Sequence, residues 1–260
     1  MTKKIEKEIA IDATPEEVWR ALSEGEQLKR WFPLDARVKP GVGGAVWLSW
    51  GEGSDWESPI EIWEPNRHLR TVDTTPATRD KPAARIAVDY IIKTRGGTTV
   101  LRVVHSGFAD DAGDDEQQSL DAGWASFLAT LKNYLERHRG EPRALAFFRH
   151  PPVELPRSEV YRRVMKTFGL QGVDSLKPGE RYSSANGIEL AGVADIVAPP
   201  INFSGTVENL GNAFLMIEIE PGRQRCRPAV WLSLYGDMRS RAAALQEEIR
   251  DLLTGTFTSP

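Results

Sequence analysis

Between residues 34 and 108 the chain never holds a helical period, and from 115 to 138 it holds little else. In the first stretch, short alternating segments are separated by turn chemistry. Pro40-Gly41 and Gly43-Gly44 precede Val46, Leu48 and Trp50, and Pro65-Asn66 divides a strand near Ile60 from one at 69–73. Gly96-Gly97 joins 86–93 to 99–105 as a hairpin with a two-residue loop. In the second stretch Leu120, Trp124, Phe127, Leu128, Leu131 and Leu135 recur at helical spacing and give one broad apolar face. The acidic run from Asp110 to Glu116 suits the positive end of that helix and lacks the glycine spacing of a calcium loop.

Ahead of this block, Ile5, Ile9 and Ile11 alternate with Glu6 and Glu8, which predicts a half-buried strand that Lys7 interrupts. Thr14, Pro15 and Glu17 form a capping box with proline at the first helical position. Val18, Trp19 and Leu22 are the apolar side of that helix, and a second short helix is expected from Glu24 to Trp31, stopped by Pro33. The order is strand, two short helices, about six strands and one long helix. That is an α+β arrangement, an antiparallel sheet with its helices on one side. A single amphipathic helix cannot cover so wide a sheet, and the space left over is a natural ligand cavity.

Residues 5–139 resemble the activator-of-Hsp90-ATPase-homologue branch of the START/Bet v 1-like superfamily. The residues that carry the resemblance are the run from Ile9 to Trp19, Leu28 to Phe32, Gly43-Gly44, Glu64-Pro65-Asn66-Arg67, the run from His105 to Phe108, and Gly123-Trp124. The resemblance implies a helix-grip fold and a pocket, and it does not name a ligand.

The second half echoes the first. Pro156 and Glu159-Val160-Tyr161-Arg162 parallel Pro15 and Glu17-Val18-Trp19-Arg20. Strands follow at 188–197, 201–207, 213–220 and 228–235, and a last helix carries Met238, Ala242, Leu245, Ile249 and Leu252. Val18 to Trp124 spans 106 residues and Val160 to Ala242 only 82, so the second copy lacks two short strands, or the second helix and one strand. The expected organisation is two tandem helix-grip domains, 1–140 and a shortened 141–260, joined near Gly140.

Composition narrows the function. With 33 Lys and Arg against 37 Asp and Glu, the net charge of −4 argues against a phosphate-binding stripe and hence against nucleic acid. The lone Cys226 cannot form an internal disulfide, and neither a signal peptide nor an 18-residue apolar run occurs; a soluble, cytoplasmic protein without a membrane association is expected. No phosphate-binding glycine loop, nucleophile elbow or metal-ligand spacing is present, so no cofactor, metal or catalytic residue is assigned.

Seven of the eight tryptophans lie between residues 19 and 124. Trp31, Phe32, Trp50, Trp124 and Phe127 are expected to wall an apolar pocket between the long helix and the sheet, with His105 as its main polar group. Thr99, Leu101, Val103 and His105 share a face by period two. Arg37, Arg67, Arg70 and Arg85 read as solvated charges, and Glu61 and Asp73 stay unassigned as partners of His105. Three functions remain open: non-catalytic binding of a hydrophobic or aromatic small molecule; a cyclase, dehydratase or hydrolase of polyketide-like substrates; and a module for a protein partner.

Overall fold

The computed structural model describes residues 3–51, 53–75, 84–108, 114–221 and 225–258; the expected acidic lead-in at 110–113 lies outside them. The chain runs through β1 (Lys3–Ile11), α1 (Pro15–Ser23), α2 (Gly25–Leu28), β2 (Asp35–Lys39), β3 (Ala45–Ser49), β4 (Asp55–Glu64), β5 (His68–Thr75), β6 (Ala84–Arg95), β7 (Thr98–Phe108) and α3 (Asp114–Arg137). The strands form one seven-stranded antiparallel sheet in the order β1-β7-β6-β5-β4-β3-β2.

Local chemistry accounts for these elements. Thr14 Oγ1 accepts from Glu17 N while the Glu17 carboxylate accepts from Thr14 N, so the capping box closes at the start of α1. The expected second helix is shorter than 24–31, only Gly25–Leu28, after which the chain tightens into turns before Pro33. Gly96 and Gly97 both take positive φ, 59° and 85°, as a two-residue hairpin requires. Gly107 has no substitute: its φ is +97°, and a Cβ there would stand 2.0 Å from the Arg85 carbonyl oxygen.

The second copy follows the same plan. It comprises β8 (Ala144–Arg149), α4 (Arg157–Thr167), β9 (Arg181–Ser183), β10 (Ala191–Ala198), β11 (Asn202–Val207), β12 (Ala213–Glu220), β13 (Arg227–Leu234) and α5 (Ala242–Thr258). Its order, β8-β13-β12-β11-β10-β9, repeats that of the first sheet one strand short, with no counterpart of β2. In place of α2 stands a 3₁₀ turn, Val173–Ser175. Of the two shortenings expected from the spacing, loss of the second helix and one strand is the one observed. Val18 and Val160 are both fully buried, and Trp19 and Tyr161 nearly so, as the shared Glu-Val-aromatic-Arg run implies.

By its contacts the chain divides into two compact units, Met1–Gln117 with Thr130–Arg139, and Gln118–Ala129 with Gly140–Pro260. Gly140 is where the chain enters the second unit for the last time, but the stretch 118–129 of α3, placed by the sequence in the first domain, groups with the second. The physical reason is a second buried stripe on that helix. Besides its apolar face, this part of α3 buries Ser119, Ala122 and Ser126, spaced three and four residues apart. Asn202 Nδ2 donates to Ser126 Oγ at 2.6 Å, Ser126 and Ser204 hydroxyls meet at 3.0 Å, and Arg157 Nη2 donates to Ser119 Oγ at 2.8 Å. Asn202 and Ser204 lie on the face of the second sheet turned away from its own helix-packed core, and both are completely buried.

Candidate functional site: the inner face of the first sheet

The inner face is the one on which α1 lies, since Trp19 of α1 packs edge-on against Trp63 of β4 at 4.9 Å. Directly paired residues of antiparallel strands share a face, so register identifies its members. Ile5 pairs His105 and His105 pairs Val88; Lys7 pairs Val103 and Val103 pairs Tyr90; Ile9 pairs Leu101 and Leu101 pairs Ile92. Farther across, Leu69 pairs both Tyr90 and Trp63, and Thr71 pairs Val88 and Ile60, with a bulge at Glu61 keeping the phase. Thr99, Leu101, Val103 and His105 therefore do share the inner face.

The outer face carries the compensated charges. Arg102 pairs Glu6 at 2.8 Å and Arg95 pairs Glu8 at 3.0 Å. The buried Asp89 carboxylate takes a two-pronged bond from Arg70, at 2.8 and 3.0 Å, and a third contact from His68 at 2.7 Å. Arg70 and Arg85 are occupied with Asp89 and Glu61, and Arg37 lies over the Trp47 ring at 4.6 Å. On the inner face, Asp73 accepts from Ser58 Oγ at 2.7 Å.

At the far end of the inner face, aromatic rings form a continuous string. Trp31 and Phe32 stack at 4.9 Å, Phe32 meets Trp50 edge-on at 5.3 Å, and Trp50 meets Trp56 edge-on at 4.9 Å. Trp31 is 1% exposed and anchored by its Nε1 donating to Ala21 O at 2.9 Å; Trp56, the other end, is 52% exposed. From β7 to β4 is three strand steps, and Trp56 lies four residues along β4 from Ile60, the residue in register with His105, so His105 and Trp56 stand roughly 20 Å apart across the sheet.

Burial lowers the His105 imidazole to about 4, and the ring is neutral at pH 7. Burial raises the Tyr90 phenol, which stays protonated. Lys7, Tyr90 and His105 are each half-buried.

Of the expected pocket residues, the structure brings together Trp31, Phe32 and Trp50 and puts His105 on the same sheet face. Trp124 and Phe127 belong to the segment that groups with the second unit. Trp56, Tyr90 and Lys7 lie on the same face and were not among the expected pocket residues. Lys7 had left a signal, since it breaks the alternation of Ile5, Ile9 and Ile11, and a polar residue in the apolar phase of a strand faces inward. Among the described residues no group of His, Cys, Asp and Glu is placed to hold a metal ion, and no helix is long and apolar enough to cross a membrane.

The family model "Activator of Hsp90 ATPase homolog 1-like protein" matches residues 12–136. The solved Aha1 dimer of Colwellia psychrerythraea is similar at 24% identity, over 53% of this chain and 99% of that one, with a TM-score of 0.46. DynU16, from the dynemicin biosynthetic locus, is 16% identical over 98% of this chain and 95% of its own, at a TM-score of 0.44. The di-domain ARO/CYC BexL, from the BE-7585A biosynthetic pathway, is 13% identical over 99% of both chains, also at 0.44. The search among curated proteins gives no match. With its meander of antiparallel strands, the capped helix after the first of them and the long helix after the last, the stretch 12–136 is an activator-of-Hsp90-ATPase-homologue-1-like domain, in that it is similar to the family that the model describes.

Proposed function

We propose that the first unit binds a hydrophobic or aromatic small molecule against the inner face of its sheet and releases it unchanged. The observation that carries this reading is the string of rings that starts in the core at Trp31 and surfaces at Trp56. A lone exposed tryptophan is ordinary; one joined edge-on to a continuous run of rings offers a flat ligand both face and edge partners. Phe32, Trp50 and Trp56 are the apolar wall, Trp31 backs Phe32, and His105 is a polar group farther along the same face. Binding is preferred to catalysis because an imidazole near 4 is a weak base at neutral pH, and effective general bases lie close to the working pH.

Titration with a panel of flat two- to four-ring aromatic compounds, followed by tryptophan emission, tests the reading. At least one compound should shift the emission, and Phe32→Ala or Trp56→Ala should weaken its binding by about 1–3 kcal/mol, the range for lost apolar burial. No response to any compound would overturn it in favour of a protein partner at the exposed Leu34, Val42 and Trp56.

A further inference from the structure

We infer that the inner face of the first sheet selects ligands that carry a protonated amine on a flat apolar body, with the Asp73 carboxylate as the partner of the amine. This selection rests on the ligand-binding role proposed above. Asp73 of β5 shares the inner face with Thr71, and Ser58 of β4 shares it with Trp56 and Ile60. The Ser58 hydroxyl donates to Asp73 Oδ1 at 2.7 Å, which makes the two side chains cross-strand neighbours. Trp56 is one pleat along β4 from Ser58, so it stands diagonally across from Asp73, about 7–8 Å away. The half-buried carboxylate thus borders the exposed end of the string of rings.

A carboxylate offers about four lone-pair sites, and the Ser58 hydroxyl occupies one of those on Asp73. That bond holds the group in place, and the remaining acceptor sites suit the N–H donors of a ligand. The arginines of the neighbouring strands are engaged elsewhere, Arg70 with Asp89 and Arg85 with Glu61. Lys7 is three strand steps and four residues away on the same face, roughly 20 Å. Among the described inner-face residues of β3 to β6, Asp73 alone carries a charge. An ammonium placed here gains a charge-assisted bond from the carboxylate and a cation–π contact from the Trp56 ring. A neutral or anionic group of the same size gains neither.

The second copy acts as an internal control on whether the fold itself needs a charge at this place. In its sheet order β10 and β11 hold the positions of β4 and β5. By register, their core-facing residues are Gly192, Ala194 and Val197 on β10 and Phe203, Gly205 and Val207 on β11. The same sheet order is thus built without a carboxylate there. A charge beside apolar rings costs stability unless a partner compensates it. Ser58 supplies part of that compensation, and a bound ammonium supplies the opposite charge.

Isothermal titration calorimetry at pH 7.5 with 2-(2-naphthyl)ethylamine, its neutral isostere 2-(2-naphthyl)ethanol and the anionic 2-naphthylacetate reads the selection. The full-length protein should bind the amine at least tenfold more tightly than the alcohol, and the acid more weakly than either. Asp73→Asn should bring the amine down to the level of the alcohol while the near-ultraviolet circular dichroism stays that of the wild type. Asp73→Ser serves the same purpose should the asparagine variant fail to fold. Equal affinity for amine and alcohol, an acid bound as tightly as the amine, or a preference that survives loss of the carboxylate overturns the selection alone. Binding of none of the three overturns the ligand-binding role and the selection with it.

Discussion

Trp31→Ala should lower stability by about 3–5 kcal/mol, the cost of deleting a large buried aromatic side chain without collapse of the space it leaves. The ring is 1% exposed, stacks on Phe32 and fixes the end of α2 to α1 through its bond to Ala21 O. Trp31→Phe keeps the stacking surface but removes that bond, and should cost roughly 1–3 kcal/mol. Urea unfolding followed by near-ultraviolet circular dichroism checks both. A loss below about 1 kcal/mol for the alanine variant would mean that the ring is not a keystone of this core.

Stability should depend on pH in opposite senses at two half-buried groups. His105 is neutral in the folded protein down to about 4, whereas an exposed imidazole takes its proton near 6.5. The unfolded chain therefore binds the extra proton, and stability is full above 6.5 and lost as pH falls towards 4. With the ring partly open to solvent, the loss should be about 2–3 kcal/mol. Glu218 behaves in reverse. Burial, and then the Glu220 carboxylate, raise it to about 7 against the pull of Arg149 and Arg157. The folded state holds this proton, so its contribution is full below 4.5 and lost as pH rises through 7. Glu218→Gln should thus raise stability by about 1–3 kcal/mol at pH 8 and leave it nearly unchanged at pH 4. His105→Leu should flatten the acid limb only. Thermal unfolding across pH for the two variants against the wild type measures both effects; no gain for Glu218→Gln at pH 8 would contradict the burial of that carboxyl.

The elements most legible in the sequence are those whose local chemistry decides the backbone. The Thr14 cap, the Gly96-Gly97 hairpin and the echo of Glu17-Val18-Trp19-Arg20 at Glu159-Val160-Tyr161-Arg162 each needed only a few consecutive residues. The strand β9, three residues long, offers no period to read. Long-range partnership was the harder part. The apolar stripe of α3 announced itself through Trp124, Leu128 and Leu131, but Ser119 and Ser126 look like a solvated face until Asn202, Ser204 and Arg157 are brought to them from some 40 to 80 residues away. In the site, alternation was enough to put His105 inward. Tyr90 could not be placed without the register of β6 against β7, and Trp56 could not be joined to Trp50 without the turn in which Trp50 N donates to Ser54 O.

Indole N–H resonances of the ¹⁵N-labelled protein give the sharpest test of a ligand site on the first sheet and a filled core in the second. Eight tryptophans supply eight probes, seven of them between residues 19 and 124 and the other, Trp231, on β13. Addition of a flat aromatic compound to saturation should move the signals of Trp50 and Trp56 and leave that of Trp231 in place. A ligand that shifts Trp231 while Trp50 and Trp56 stay still would place binding in the second unit and contradict the account.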